Sequence, residues 1–483
     1  NVNFAFAIYF PLSFLFSVSA VSGRCRPVRR WPQDRLPFTI DTDYQYDTLN
    51  LSKILQKTQN LWYIVCMKTR TKSIPEQLKS QAETYVGDLS DIVFFDIETT
   101  GLSHKTAFLY LVGAAFMESG RFVLCQYLAE DLSEEEAVLK AFSERIHGKK
   151  RLIHFNGSTF DLPFLQARCR KYGLECAASA MEQTDLYRRI SPLKNVLKLS
   201  NCKLKTLEEF LGSGRKDPFT GGELIELYHT YRREKDERLL EVLLLHNAED
   251  ILGMLSVLSM LAYPALSEAQ AGAGKAELSP CTDYAGKEQK ELLLPVRFPL
   301  PLPRPLALHA DGIFFSGNGE TGLIKVPVFC GELKYFYPDY KNYSYLPDED
   351  YAIHKSVAIY VDKAHRVPAR PETCYTRKTG EFLPLFLSGS TKASSSEETL
   401  FAPVFFRQAP DRPASGKLPS GKQPSGAQTS GRQPSLRSTQ KGQTAKQSAP
   451  FREGFFEANS AFLENPSLLS AYAAHLFAHL LKT

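Results

Sequence analysis

The chain has 483 residues, a length that suggests about three domains of roughly 150 residues each and excludes a single small binding module. Apolar residues make up 43% and charged residues 23%, near globular averages, which excludes collagen-like, coiled-coil and wholly disordered chains. The formal charge of +5 is unevenly placed: eight basic and no acidic residues lie between Arg412 and Arg452, so the rest of the chain carries −3. The basic total is therefore weak evidence of a nucleic-acid-binding face. Nine cysteines at irregular spacings, with no CxxC pair, read as reduced core thiols and not as a zinc ribbon or disulfide framework.

Residues Phe4 to Val21 are nearly all apolar and run into Arg24, Arg26, Arg29 and Arg30, which invites a signal-peptide or membrane-anchor reading. The flanks argue against it, because there is no basic stretch ahead of the run and Pro11 interrupts it. The first methionine is Met67, so residues 1–66 are expected to lie outside the working protein, with export or anchoring as the alternative, and 67–85 form a lead-in. A cytoplasmic protein without a membrane partner is expected.

From Asp91 the pattern becomes regular. Ile92–Ile97, Ala107–Met117 and Arg121–Leu128 read as three strands, and Ser133–Ile146 as a helix opened by a capping box of Ser133 and Glu136. Arg151–Phe155 reads as a fourth strand, Leu162–Tyr172 as a helix and Gln183–Tyr187 as a fifth strand. Lys205–Leu211, Gly222–Tyr231 and Glu237–Leu261 are helical by period. Strands leading into alternating units predict an α/β domain over 86–264.

Residues 265–294 read as a linker and 295–407 as the body of an α+β domain, with a helix at Asp350–Val361 and a hairpin at Thr373–Phe386. Residues 408–450 carry Pro-Ser-Gly-Lys quasi-repeats and are expected to be a disordered basic insertion. A helix at Pro466–Leu481, within 451–483, would complete the second domain. His475 and His479 on it have no third ligand and read as surface residues. The tyrosine-rich segment 335–345 reads as packing, with base stacking as the alternative.

Three stretches carry chemistry. In Phe94-Phe95-Asp96-Ile97-Glu98-Thr99-Thr100-Gly101, alternation puts Asp96 and Glu98 on one face of a strand and Phe95 and Ile97 on the other. Two adjacent carboxylates in an apolar strand repel unless a cation sits between them, and a hard divalent ion such as Mg²⁺ suits oxygen ligands. Asn156-Gly157-Ser158-Thr159-Phe160-Asp161 follows a strand and opens a helix, where Asp161 is either a cap or a ligand. In His246-Asn247-Ala248-Glu249-Asp250, spacing of four puts His246 and Asp250 on one helix face.

In this order the three stretches resemble the exonuclease motifs of the DEDD superfamily, with a ribonuclease-H-like fold, and within it the bacterial YprB-type family. The middle motif also resembles that of family B polymerase proofreading domains. The resemblance covers about 86–264 and implies a mixed sheet flanked by helices and a 3′→5′ exonuclease acting on DNA or RNA. It further implies two divalent cations, Mg²⁺ or Mn²⁺, on Asp96, Glu98, Asp161 and Asp250, with His246 orienting or deprotonating the attacking water. His246 stands four residues before Asp250, as in the tyrosine subclass; the histidine subclass has its residue five before, where this chain has Leu245. Thr99, Asn156, Lys203 and Lys205 are candidate nucleic-acid contacts. The rival reading is a nucleic-acid-binding or scaffolding protein that keeps the fold without turnover.

Overall fold

A computed structural model describes residues 67–215, 219–268, 272–282, 286–387, 400–407 and 452–482. The expectations for 1–66 and 408–450 lie outside the described residues. The first domain is built on a six-stranded mixed sheet: β1 (Lys68–Ser73), β2 (Ile92–Thr99), β3 (Leu109–Glu118), β4 (Arg121–Leu128), β5 (Arg151–His154) and β6 (Glu182–Asp185), in the order β1-β4-β3-β2-β5-β6. β2, β5 and β6 run parallel and the remaining pairs are antiparallel.

Helices cover both faces, which is why the central strands read as continuous apolar runs. On one face Val93, Phe95 and Ile97 pack against α2 (Glu135–Ile146) and α3 (Asp161–Lys171) through Phe142, Leu139, Phe164 and Leu165. On the other, Ile92 and Phe94 share a core with α7 (Glu237–Val257). The lead-in 67–85 is not peripheral: β1 is the sheet's edge strand, and α1 (Glu76–Val86) packs against α7. The helix start near 133 also differs from expectation. The capping box is Asp131 with Glu134, not Ser133 with Glu136, because a single 3₁₀ turn precedes α2. After β6 the chain turns at once into α4 (Leu186–Ile190), so the fifth predicted strand ends at Asp185. Two further helices, α5 (Leu204–Leu211) and α6 (Gly221–Glu234), lead to α7, and a 3₁₀ turn joins α7 to α8 (Ala262–Glu268). Among the described residues the run Glu237–Glu268 is the one helix long and apolar enough to cross a membrane, and 72% of its most apolar window is buried within the protein.

The stretch 265–294 is not a linker. It supplies the end of α8, β7 (Gly272–Ala273), β8 (Glu277–Thr282) and the start of the long β9 (Glu288–Ala310). β9 forms an antiparallel pair with β10 (Ile313–Phe336), and β14 (Tyr375–Leu387) and β15 (Arg452–Glu457) extend that sheet beyond β10. Pro299, Pro301, Pro303 and Pro305 of β9 fall where its pairing with β10 is irregular, the register shifting between Gly317 and Gly319 and again between Gly319 and Thr321, so regular ladder N–H groups are not required of them. The hairpin expected at 373–386 is one strand. The helix expected over 350–361 shrinks to Lys355–Ala358, because 351–354 is β12, paired with β11 (Tyr343–Leu346), which also pairs with β13 (Val367–Pro368). In the tyrosine-rich segment 335–345, Tyr337 meets Tyr335 edge to face and stacks on Tyr343 of β11 at 4.4 Å between centroids.

The two domains share a core in which Leu258, Leu261 and Leu266 join Leu292, Leu294, Phe298 and Phe477. Phe477 lies on the terminal helix Pro466–Leu480, whose histidines are buried and not at the surface. The Phe386 N–H donates to His475 Nε2 at 3.0 Å, while His479 stacks on Phe386 and meets Asp311 at 2.7 Å. That helix is covered on more than one side, by the sheet and by α8, so an i,i+4 histidine pair could not stay in water. All seven cysteines among the described residues are free; Cys125, Cys169, Cys202 and Cys374 are buried as expected, but Cys330 is exposed.

Candidate metal centre

Alternation along β2 brings Asp96 and Glu98 to the α7 side of the sheet. There His246 and Asp250, one turn apart, face them: His246 Nε2 lies 3.6 Å from Glu98 Oε1 and 3.3 Å from Asp250 Oδ2. Ligand atoms of Glu98, His246 and Asp250 all fall within 4.8 Å of one another. Asp161, first residue of α3, joins from the middle stretch; the Ile97 N–H hydrogen-bonds its carboxylate, and its charge and that of Asp250 act on Asp96. The five residues singled out from the sequence therefore meet in one place.

Electrostatically the cluster is under load. Burial first, then the charges of Asp250, Asp161 and Glu98, drive the Asp96 carboxyl well above the usual carboxylate range. Burial likewise pushes Asp161 up to about 7, although N–H bonds from its own backbone and Ile97 oppose it. Burial works against Asp250 too, but the bond from His246 and the guanidinium of Arg215 outweigh it and hold that carboxyl low. Clustered, oxygen-rich and short of positive charge, the donor set fits a hard divalent cation.

A pH test follows from Asp161. The folded carboxyl keeps its proton up to about 7, whereas an unfolded one releases it near 4. Between those values the folded state binds more protons, so stability falls as pH rises. In chelator, melting temperature should therefore decline more steeply from pH 4 to 7 for the parent than for Asp161→Asn. Divalent cations should oppose the decline, because they bind the ionised carboxylates. Identical pH slopes for the two proteins would contradict this assignment.

Asp96 is held by a residue to which the sequence reading gave no role. Asn247 Nδ2 donates to Asp96 Oδ2 at 3.1 Å, and Gln126 Nε2 donates both to Asn247 Oδ1 at 3.0 Å and to the Leu244 carbonyl at 2.7 Å. Asn247 is fully buried against Gly113, the residue opposite Asp96 on β3. The signals were present: a lone amide in each of two apolar runs needs a partner, and a glycine inside a strand marks a close approach. Asp185 was also missed. It accepts the Asn156 N–H at 2.9 Å and the Ser158 N–H at 3.3 Å, and so fixes the loop ahead of Asp161.

From the carboxylates a cleft of about 300 Å³ extends past Asn156, Phe155, Tyr187 and Lys203. Asn156 adopts φ of 61°, an uncommon state for a residue other than glycine that fits a loop shaped for contact. The other candidate contacts fare differently. The Thr99 hydroxyl is buried and donates to the Gly101 carbonyl at 2.9 Å, so it closes a turn. Lys205 is exposed on α5 and is not part of the cleft lining.

A family model of the RNase_H superfamily matches residues 93–262. YprB of Bacillus subtilis, an uncharacterized protein, is 26% identical over 186 residues, which is 38% of this chain and 44% of YprB. The chain thus spans less than half the length of that relative. Among solved structures, the family B DNA polymerase of Pyrobaculum calidifontis aligns at 13% identity and a TM-score of 0.29, over 52% of this chain and 35% of the polymerase. E. coli Exonuclease I in complex with a dT13 oligonucleotide aligns at 14% identity and 0.22, over 47% of this chain and 55% of that one. Over residues 93–262 the chain has a ribonuclease-H-like fold and is similar to the RNase H superfamily and to YprB.

Proposed function

We propose that this protein is a metal-dependent 3′→5′ exonuclease that hydrolyses phosphodiester bonds at the ends of DNA or RNA. One observation carries the reading: β2, the start of α3 and the middle of α7, far apart in sequence, bring four carboxylates and one imidazole close together, and two of the carboxylates, Asp96 and Asp250, line a cleft. Two divalent cations, Mg²⁺ or Mn²⁺, on Asp96, Glu98, Asp161 and Asp250 would supply Lewis-acid neutralisation of the phosphate charge. Along the cleft, Lys203 offers a cation to a phosphate, while Phe155 and Tyr187, in edge contact at 5.9 Å, offer an apolar wall to a base. His246 Nε2 faces Glu98 and Asp250; with those carboxylates taken up by a cation, a neutral imidazole there would be placed to take a proton from the attacking water. The C-terminal domain, joined to α7 and α8 through a common core, would help to place the strand.

The direct test is incubation of the purified full chain and Mg²⁺ or Mn²⁺ with single- and double-stranded DNA and RNA labelled at the 5′ end. Stepwise shortening from the 3′ end is expected; intact substrates, or internal cuts alone, would refute the reading. A second outcome concerns His246. With all four carboxylates retained, His246→Ala should still bind the metal yet lose about 10²–10⁴-fold in turnover, the usual worth of a general base. His246→Tyr should recover part of it. Parental rates from His246→Ala would leave the imidazole no part in the chemistry.

A further inference from the structure

The two oxygens of Asp250 have different partners. Oδ2 faces His246 Nε2 at 3.3 Å, while Oδ1 pairs with Arg215 Nη1. Arg215 is in turn held at Nε by Glu208 Oε2, on the last turn of α5. The Arg215 and Glu208 side chains are each 8% exposed. Burying such a pair costs desolvation that its own attraction barely repays, so stability alone is a weak reason for it to be here. The fold also makes room for it. Gly253 lies one turn beyond Asp250 on α7, and a Cβ there would stand 2.5 Å from Glu208 Oε1 and 3.1 Å from Arg215 Nη2.

We propose that Arg215 is a positioning residue for Asp250: braced by Glu208, it fixes Oδ1 and leaves Oδ2 turned to Glu98 and His246, the side on which a divalent cation would bind. The inference rests on the metal-dependent reading of the site. An arginine is required, because its planar fork reaches two carboxylates in fixed directions, which a lysine ammonium cannot do. The pair lies one shell outside the ligands, where partners typically contribute 10–100-fold in metal affinity.

The test is Mn²⁺ binding to the full chain, followed by electron paramagnetic resonance of the free ion, with no turnover involved. Because Arg215→Met alone would strand a buried Glu208, the variant of choice is Arg215→Met with Glu208→Leu, which replaces the pair by apolar groups. It should weaken Mn²⁺ binding about 10–100-fold, and Arg215→Lys should weaken it by a smaller factor. Arg215→Lys keeps the charge and serves alone if the double variant does not fold. Unchanged Mn²⁺ affinity in the variant measured overturns the proposal, and so does tighter binding, which would make Arg215 a competitor for Asp250. Asp250→Asn separates the two claims. If it abolishes Mn²⁺ binding while the Arg215 variants do not change it, only the positioning role fails; if it binds normally, the reading of the whole site fails.

Discussion

Asp96→Asn is expected to abolish nuclease turnover while leaving the metal-free protein at least as stable as the parent. The two halves have one cause. Asp96 sits on a central strand among Glu98, Asp161 and Asp250, in surroundings where burial and like charge both oppose its ionisation. An amide of the same shape removes that charge and keeps an oxygen to accept the Asn247 N–H, now at 3.1 Å from the carboxylate. Melting temperature in chelator should therefore hold or rise, as is common where a site is built against stability. Turnover should move the other way. Residues one shell outside a metal typically contribute 10–100-fold, so loss of a ligand should exceed about 10²-fold. The measurements are single-turnover rates on end-labelled oligonucleotides and thermal melts in chelator. Parental rates would remove Asp96 from the chemistry, and a large fall in melting temperature would mean that its charge is structural.

The grouping of the candidate site residues was legible in the sequence and that of the residues that support them was not, for a physical reason. Asp96 and Glu98 follow the two-residue period of a strand, and His246 and Asp250 the four-residue spacing of a helix, so local geometry alone aligns each pair. Arg215 and Asp250 are 35 residues apart, and Gln126 and Asn247 are 121 apart. Such contacts depend on how α5 and β4 pack against α7, which no local period encodes. Composition misled in the C-terminal domain. β8 holds only exposed and half-buried residues as an outer strand of its sheet, and its polar sequence resembles a linker for that reason. In β9 the alternation of Leu292, Leu294, Val296 and Phe298 into the core was present, but prolines following it concealed the strand. The terminal helix was recognised from its stripe, yet it is buried on more than the stripe, and His475 and His479 were misjudged with it.

Gly113→Ala is expected to damage both fold and activity, and a second substitution should separate the two effects. A Cβ at position 113 would fall 2.0 Å from Asn247 Oδ1, 2.8 Å from its Cγ and 2.9 Å from its Nδ2, closer than real Cβ contacts allow. Neither side can yield easily, since Gly113 lies mid-strand between Asp96 on β2 and Gln126 on β4, and Asn247 is on a buried helix. Overpacking typically costs 1–3 kcal/mol, and losing the Gln126 and Asp96 hydrogen bonds adds to it, so a loss of about 2–4 kcal/mol is expected in denaturant melts. Asn247→Ala in the same chain removes the clashing amide, and Gln126 keeps its bond to the Leu244 carbonyl at 2.7 Å. Most of the lost stability should return in the double variant. Activity should not, because Asp96 then lacks the N–H that orients it, and about 10–100-fold in turnover or metal affinity is at stake. Recovery of both quantities together would mean that Asn247 fills space and nothing more. Recovery of stability alone would identify the Gln126–Asn247–Asp96 chain as the brace of the metal centre, with Gly113 as the gap that lets it reach the strand.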